Sequence, residues 1–378
     1  MPTVYLHVGA TKTGTTFVQN MLTRNGSVLR ERGVLWPGRR WGDQVRATND
    51  LLGRRAGRGA PDPSGAWDRL VEEIRAFDGD AIVSMEFLSF ASAAVAHRAV
   101  ESLSPRRVRV VVTARDLVRV IPAIWQESVQ NGHVLAYRAY LNALTQSEYD
   151  GPRTGVRAAF WGQQDIAQIL RHWGSAVRSD DLALVTVPAP GADRALLWTR
   201  FCQATGLDPG GLRPATSGNE SLGAASAELM RRATVRARQA DADWATLQAL
   251  KWRVAKRTLS KRRHDEPTLV LPPAYLDWAL RQQRTLVDGI IDVDPVVVGG
   301  LDDLLYATAP GATASGPREG QVIAPAHLPP AQLLDAALDA IVGLSVDVGK
   351  RSRQRSGSSD RDEEIDDTPA AWPEEGPA

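Results

Sequence analysis

Lys12 stands in a run, Gly9-Ala10-Thr11-Lys12-Thr13-Gly14-Thr15-Thr16, that offers an anion one mobile positive charge, several hydroxyls and glycines that admit close approach. Backbone N–H groups in such a turn converge on a phosphate. A helix beginning directly after it adds unpaired donors and the positive end of its dipole. Gly9 and Gly14 have the glycine offset of the nucleoside-triphosphatase loop G-x-x-x-x-G-K-[ST], yet Thr15 follows Gly14 and the lysine precedes it by two places. No G-x-G-x-x-G fingerprint is present here. The plain alternative is an ordinary strand-to-helix turn rich in threonine.

Two other short stretches carry chemistry. In Ser84-Met85-Glu86 an acid follows directly on an apolar strand, where a carboxylate can accept a proton from a hydroxyl or amine and where partial burial makes it a better base. Its structural alternative is helix initiation, with Ser89 as cap or Glu86 balancing an arginine. In Thr113-Ala114-Arg115-Asp116 the guanidinium lies just past a valine-rich strand and suits a phosphate gripped by two parallel hydrogen bonds; a structural Arg115–Asp116 pair is the alternative. Two such points on neighbouring turns suggest a nucleotide phosphorylated on both its 5′ and 3′ sides.

The elements that must hold these groups read as an α/β fold. Apolar strands are expected at 4–8, 80–85, 107–113 and 182–187, with helices from Phe17 onward and near 66–77, 91–103, 117–130 and 163–173. The alternation predicts a P-loop-type, mainly parallel central sheet with helices on both faces, and ligands beyond the carboxyl ends of its strands. A largely helical C-terminal region follows, with an elaboration at about 222–290. Residues 1–310 are expected to form this α/β domain, 311–325 a linker, 326–346 an amphipathic helix and 347–378 a disordered charged tail. Residues 38–65 read as a long mobile or functional excursion. The aromatics Tyr137, Tyr140, Tyr149, Phe160 and Trp161 either wall a cleft or form satellite core.

Composition sets bounds. The 378 residues are 43% apolar and carry a net charge of +1, enough for a large core and no argument for nucleic-acid binding through bulk electrostatics. Cys202 is the single cysteine, which excludes an intrachain disulfide and a multi-thiolate metal site and suits a cytoplasmic protein. No signal segment or stretch long enough to cross a bilayer is evident.

Lys12-Thr13-Gly14-Thr15-Thr16, Ser84-Met85-Glu86 and Thr113-Ala114-Arg115-Asp116, in that order, resemble the sulfotransferases that use 3′-phosphoadenosine 5′-phosphosulfate (PAPS), especially bacterial relatives of the carbohydrate enzymes. The likeness covers mainly residues 4–223, ending in Asn219-Glu220-Ser221-Leu222-Gly223. The resemblance implies that Lys12 contacts the bridging oxygen of the phosphosulfate. Thr13, Gly14, Thr15 and Thr16 would hold the 5′-phosphate, Arg115 the 3′-phosphate, and Ser221 would lie near the nucleotide. Glu86 would be the general base for sulfuryl transfer to a hydroxyl or, less readily, an amine of the expected partner, a carbohydrate, glycolipid or small-molecule acceptor, releasing adenosine 3′,5′-bisphosphate (PAP) without a metal. The family's serine eight residues after the arginine is here Ala123, so Arg119 or a residue of the late loop must replace it. His133 is a rival base, ranked below Glu86 because nothing local fixes its tautomer. Trp125 and Gln126 are possible acceptor contacts, and His7 reads as structural. The competing functions are a small-molecule kinase with a variant P-loop, using ATP and magnesium, and a catalytically silent nucleotide-binding protein.

Overall fold

Strands buried on both faces must be apolar almost throughout, and Val108-Arg109-Val110-Val111-Val112 meets that demand at the centre of the molecule. The computed structural model describes residues 2–54, 62–146, 155–193, 195–214, 221–305 and 320–357. Its strands are β1 (Thr3–His7), β2 (Val34–Leu35), β3 (Asp80–Ser84), β4 (Arg107–Ala114), β5 (Leu182–Thr186), β6 (Thr268–Leu269), β7 (Val296–Val298) and β8 (Gln321–Val322). The main sheet runs β2-β3-β1-β4-β5-β7 with every pair parallel, so the fold is α/β with helices on both faces. The short edge strands β2 and β7 were not anticipated from the sequence.

Strand alternation divides the core. Val4, Leu6, Val83, Val110, Val112 and Leu184 join one apolar layer with helices Trp41–Leu51, Ala66–Ala76, Ala93–Ser102 and Ile166–Gly174. Tyr5, Ile82, Val111, Ala183 and Val185 face the opposite layer, closed by helices Thr15–Arg24 and Ala195–Thr205. Each such fully buried aliphatic side chain stabilises the fold by about 1.5–3 kcal/mol before entropy is counted.

Three expectations change and one open choice is decided. The 38–65 stretch contains helix Trp41–Leu51, whose Gln44, Val45, Thr48 and Leu51 recur at helical spacing and are buried. Tyr137, Tyr140, Phe160 and Trp161 belong to a third apolar cluster with helices Leu117–Gln130 and Ala224–Gln239, so they are satellite core; Tyr149 lies outside the described residues. Within the expected 311–325 linker, residues 311–319 are likewise outside them, but Gln321–Val322 pairs with β6 in register Thr268↔Gln321. The C-terminal helix runs Pro330–Gly357, well past 346. Its inner face buries Ala336 and Ala340 against the third cluster, and Asp347 meets Arg257 at 3.0 Å and Arg253 at 3.6 Å. Those contacts carry the helix into what the charge pattern marked as tail. Among the described residues no helix is long and apolar enough to cross a membrane.

Candidate functional site

The order β3-β1-β4 puts the three chemical stretches side by side, because each follows the carboxyl end of one of these adjacent parallel strands. The Lys12 turn grows from the central strand. It is pinned to β4 by the Val8 N–H on the Val111 carbonyl and the Ala10 N–H on the Thr113 carbonyl, both at 3.0 Å, while the Thr113 N–H returns to the Gly9 carbonyl at 2.5 Å. Gly9, at φ +116°, lies against the turn that carries Glu86. A Cβ there would sit 3.0 Å from the Glu86 carbonyl oxygen and 3.2 Å from the Ser89 Cβ. Gly14, at φ +87°, caps helix Thr15–Arg24, and a Cβ would come within 2.4 Å of Leu197 Cδ2. Lys12 itself is left-handed at φ 61°, a conformation that turns the chain sharply ahead of the helix.

The threonines divide their roles. Thr13 is fully buried and its hydroxyl lies 2.5 Å from both the Ala10 carbonyl and Thr113 Oγ1, so what it can present to an anion is backbone. Thr11 is held by helix Gly155–Gln164: its hydroxyl donates to Gln163 Oε1 at 2.9 Å and its carbonyl accepts from Gln164 Nε2 at 2.8 Å. Thr15 is buried and Thr16 half-buried in the first helical turn, where the Phe17 and Val18 N–H groups already return to the Gly14 carbonyl.

Beneath the turn, His7 is wholly buried, with Nδ1 2.7 Å from Ser84 Oγ and Nε2 3.2 Å from Thr113 Oγ1. Thus it ties β3, β1 and β4 together directly under the three turns. Burial pushes the imidazole down to about 3 from its ordinary 6.5. Between those values the unfolded chain binds one proton more than the folded one, so this group's stabilisation is complete above about 6.5 and is lost as pH falls toward 3. Urea unfolding at pH 7 and 4.5 is expected to show His7→Asn losing about 2–3 kcal/mol less on acidification than the wild type. Equal losses in the two proteins would contradict this assignment.

Glu86 begins the 3-10 turn Glu86–Phe90, half-buried, and its Oε2 accepts from Gln19 Nε2 at 2.7 Å. Gln19 is in turn fixed by the Trp41 indole N–H on its Oε1 at 3.1 Å and by its own Nε2 on the Ser84 carbonyl at 3.1 Å. Desolvation raises the Glu86 carboxyl above its ordinary range and the charge of Glu127 adds to the rise; the Gln19 hydrogen bond and Lys12 pull the other way. Glu127 bridges the Lys12 ammonium at 2.8 Å, the two side chains being 37% and 23% exposed. Burial would push Glu127 up, but Lys12, by charge and hydrogen bond, together with Lys256 and Lys251, holds it below the usual carboxylate range. A lysine is therefore set between two carboxylates of different basicity.

Arg115 reaches back across the same turn, with Nη1 3.5 Å from the Lys12 carbonyl oxygen. Its Nε is buried without a hydrogen-bond partner among the described residues. Burial pushes its guanidinium down to about 10; Arg119 and Arg263 act in the same direction and Asp116 opposes them. It stays charged at neutral pH, and three guanidiniums share this corner. Asp116 caps helix Leu117–Gln130 through the Arg119 N–H at 2.9 Å and also takes the Arg119 Nε. Arg119 Nη1 donates to the Pro188 carbonyl at 3.1 Å, and its Nη2 is buried with no partner among the described residues. Arg119 is thus largely a brace between β4 and the end of β5. Ala123 is buried in the same helix, and the late-chain cation near Arg115 is Arg263, from the turn Leu259–Asp265.

Other expected participants have structural work. Trp125 is fully buried with its indole N–H on the Leu135 carbonyl at 3.0 Å, and Gln126 donates to the Leu222 carbonyl at 2.7 Å. That bond fixes the loop carrying the half-buried Ser221; Asn219 and Glu220 lie outside the described residues. His133 sits in the turn after helix Leu117–Gln130, its backbone N–H on the Ser128 carbonyl at 3.0 Å. Sequence reading missed Gln19, Glu127, Gln163, Gln164, Lys251 and Lys256. Glu127 left one signal, as the single acid in a helix whose first three turns are almost wholly apolar. Among the described residues no three His, Cys, Asp or Glu side chains are grouped to hold a metal ion.

No protein family and no curated protein matches this chain. Among solved structures, a sulfotransferase from Alicyclobacillus acidocaldarius is similar at 13% identity, with 65% of this chain and 98% of that one covered and a TM-score of 0.37.

Proposed function

We propose that this chain is a sulfotransferase that moves the sulfuryl group of PAPS to a hydroxyl of a carbohydrate, glycolipid or small metabolite. The observation that most supports this reading is the approach of Arg115 Nη1 to the Lys12 carbonyl, 3.5 Å, which brings the guanidinium of one strand-end turn onto the backbone of the neighbouring anion-binding turn, as one doubly phosphorylated nucleoside would require. The turn from Lys12 to Thr16 receives the 5′-phosphosulfate through backbone N–H groups and the hydroxyls still available, those of Thr15 and Thr16. Arg115 takes the 3′-phosphate, and Arg263, with the remaining Nη2 of Arg119, supplies what the serine replaced by Ala123 does not. Ser221 borders the nucleotide from a loop fixed to the helix that follows Arg115.

In the reaction the acceptor oxygen forms a bond to sulfur as the bond from sulfur to the bridging phosphate oxygen breaks. Glu86 takes the acceptor's proton, and its raised basicity suits that task. Lys12 meets the negative charge that develops on the departing oxygen, and PAP leaves.

Calorimetric titration without added metal is expected to show PAP binding at least tenfold more tightly than adenosine 5′-monophosphate. Arg115→Ala should remove most of that preference, in keeping with about 1.5–3 kcal/mol for a charged hydrogen-bonded contact. Equal affinity for the two nucleotides, or phosphoryl transfer from magnesium-ATP, would overturn the assignment.

A further inference from the structure

The C-terminal helix Pro330–Gly357 sits on the third apolar cluster through the buried Ala336 and Ala340, with Leu333 and Leu344 packed beside them. The seat is close: a Cβ on Gly343 would come within 2.2 Å of Thr258 Oγ1. Asp339 on Arg262, and Asp347 on Arg257 at 3.0 Å, hold the helix in place. Most of its larger aliphatic side chains face the other way. Leu334, Leu338, Ile341, Val342, Val346 and Val348 are each 51–60% exposed. At about 100° per residue the six fall within about 160° of the helix circumference. Single exposed aliphatics are ordinary, whereas a continuous patch of this kind marks an interaction surface.

The spacing selects a helix as the partner. Leu334, Leu338, Ile341, Ser345 and Val348 step by four, three, four and three residues, the period that keeps one seam facing a second helix as the two wind about each other. Val342 and Val346 widen the seam on one flank. The charges along that flank select which helix. At about 100° per residue, positions 335, 339, 342, 346, 350 and 353 form one line beside the seam. The line reads Asp, Asp, Val, Val, Lys, Arg, so it is complementary to its own reverse. Laid antiparallel against a second copy, it sets the acidic end of one helix beside the basic end of the other and valine beside valine. Laid parallel, it gathers both acidic ends at one end of the pair and both basic ends at the other.

We propose that the outer face of this helix is the interface between two copies of this chain, paired antiparallel about a two-fold axis near the middle of the seam. A membrane surface suits the face less well, because anionic headgroups attracted to the basic end would also meet Asp335 and Asp339. The seam is about 21 Å long on a helix about 10 Å wide. It therefore covers less than the roughly 800 Å² per partner of a standard interface, and dimer formation at micromolar concentration is expected. None of these residues belongs to the proposed nucleotide site, so the pairing stands apart from the sulfotransferase reading.

The test is sedimentation velocity on the full chain over about a hundredfold range of concentration spanning the micromolar. A reversible step from monomer to dimer is expected for the wild type. Leu338→Glu combined with Ile341→Glu is expected to weaken it about a hundredfold, the loss of two central anchors. Thermal unfolding of the dilute monomer should not change, because both positions face solvent there. Val342→Glu alone is expected to weaken the dimer about fivefold and provides the measurement if the double variant does not fold. The antiparallel arrangement has its own readout: Asp335→Lys should weaken the dimer about threefold, and adding Lys350→Asp and Arg353→Asp should restore it. The proposal is overturned by a wild type that stays monomeric throughout, by a dimer indifferent to Leu338 and Ile341, or by a monomer that binds phosphatidylserine vesicles through those residues instead. A charge reversal that is not restored overturns the antiparallel geometry.

Discussion

Lys12→Met protein is expected to fold normally and to lose about 10²–10³-fold in kcat for sulfuryl transfer, the size of effect seen when one group stabilising a developing oxyanion is removed. The backbone of the turn is held independently of that side chain, through Val8, Ala10 and Thr113 across to β4 and through the Thr13 hydroxyl inside the turn. Nucleotide binding should therefore fall much less than turnover. Single-turnover transfer from radiolabelled PAPS separates the two quantities, with PAP affinity measured alongside. The side chain starts on Glu127, 2.8 Å away, so the proposed mechanism requires the wild-type lysine to exchange that carboxylate for the donor's bridging oxygen. If kcat is retained and only the KM for donor rises, Lys12 is a binding residue and the leaving-group role is wrong.

A comparable loss, about 10²–10⁴-fold in turnover with unchanged PAP affinity, is expected for Glu86→Gln, which keeps the shape and the Gln19 contact position but cannot take a proton. The pH profile adds a sign. A base acts only when deprotonated, so activity falls as pH drops through the Glu86 pKa, which burial and the charge of Glu127 set above the ordinary carboxylate value. Replacing Glu127 with Gln removes one of the raising influences and should move the acid limb of kcat/KM to lower pH. A limb that stays in place, or Glu86→Gln enzyme with wild-type turnover, assigns the proton transfer to another group and returns His133 to consideration.

The three strand-end turns were legible because each is a local pattern. An apolar strand followed within a few residues by Gly9 and Gly14, by Glu86 or by Arg115 fixes both the element and the end at which its polar group emerges. Helix Trp41–Leu51 was obscured by the glycines and arginines around it, although Gln44, Val45, Thr48 and Leu51 carry its buried face. The roles of Thr13 and Arg119 were obscured for another reason: a hydroxyl or guanidinium suited to a phosphate is equally suited to a nearby carbonyl, and packing chooses.

From the chain alone came the alternation of elements, the parallel sheet implied by its valine-rich strands, and three short stretches with the right chemistry. Those properties arise from side-chain periodicity and turn preference, which act over a few residues. Tertiary structure decided that β3, β1 and β4 are neighbours, so that the stretches share the carboxyl end of the sheet, and that Gln19 meets Glu86 and Glu127 meets Lys12. Crossover connections and the burial of three apolar clusters determine those encounters. The residues involved are far apart in sequence, and no local pattern records which charge will face which.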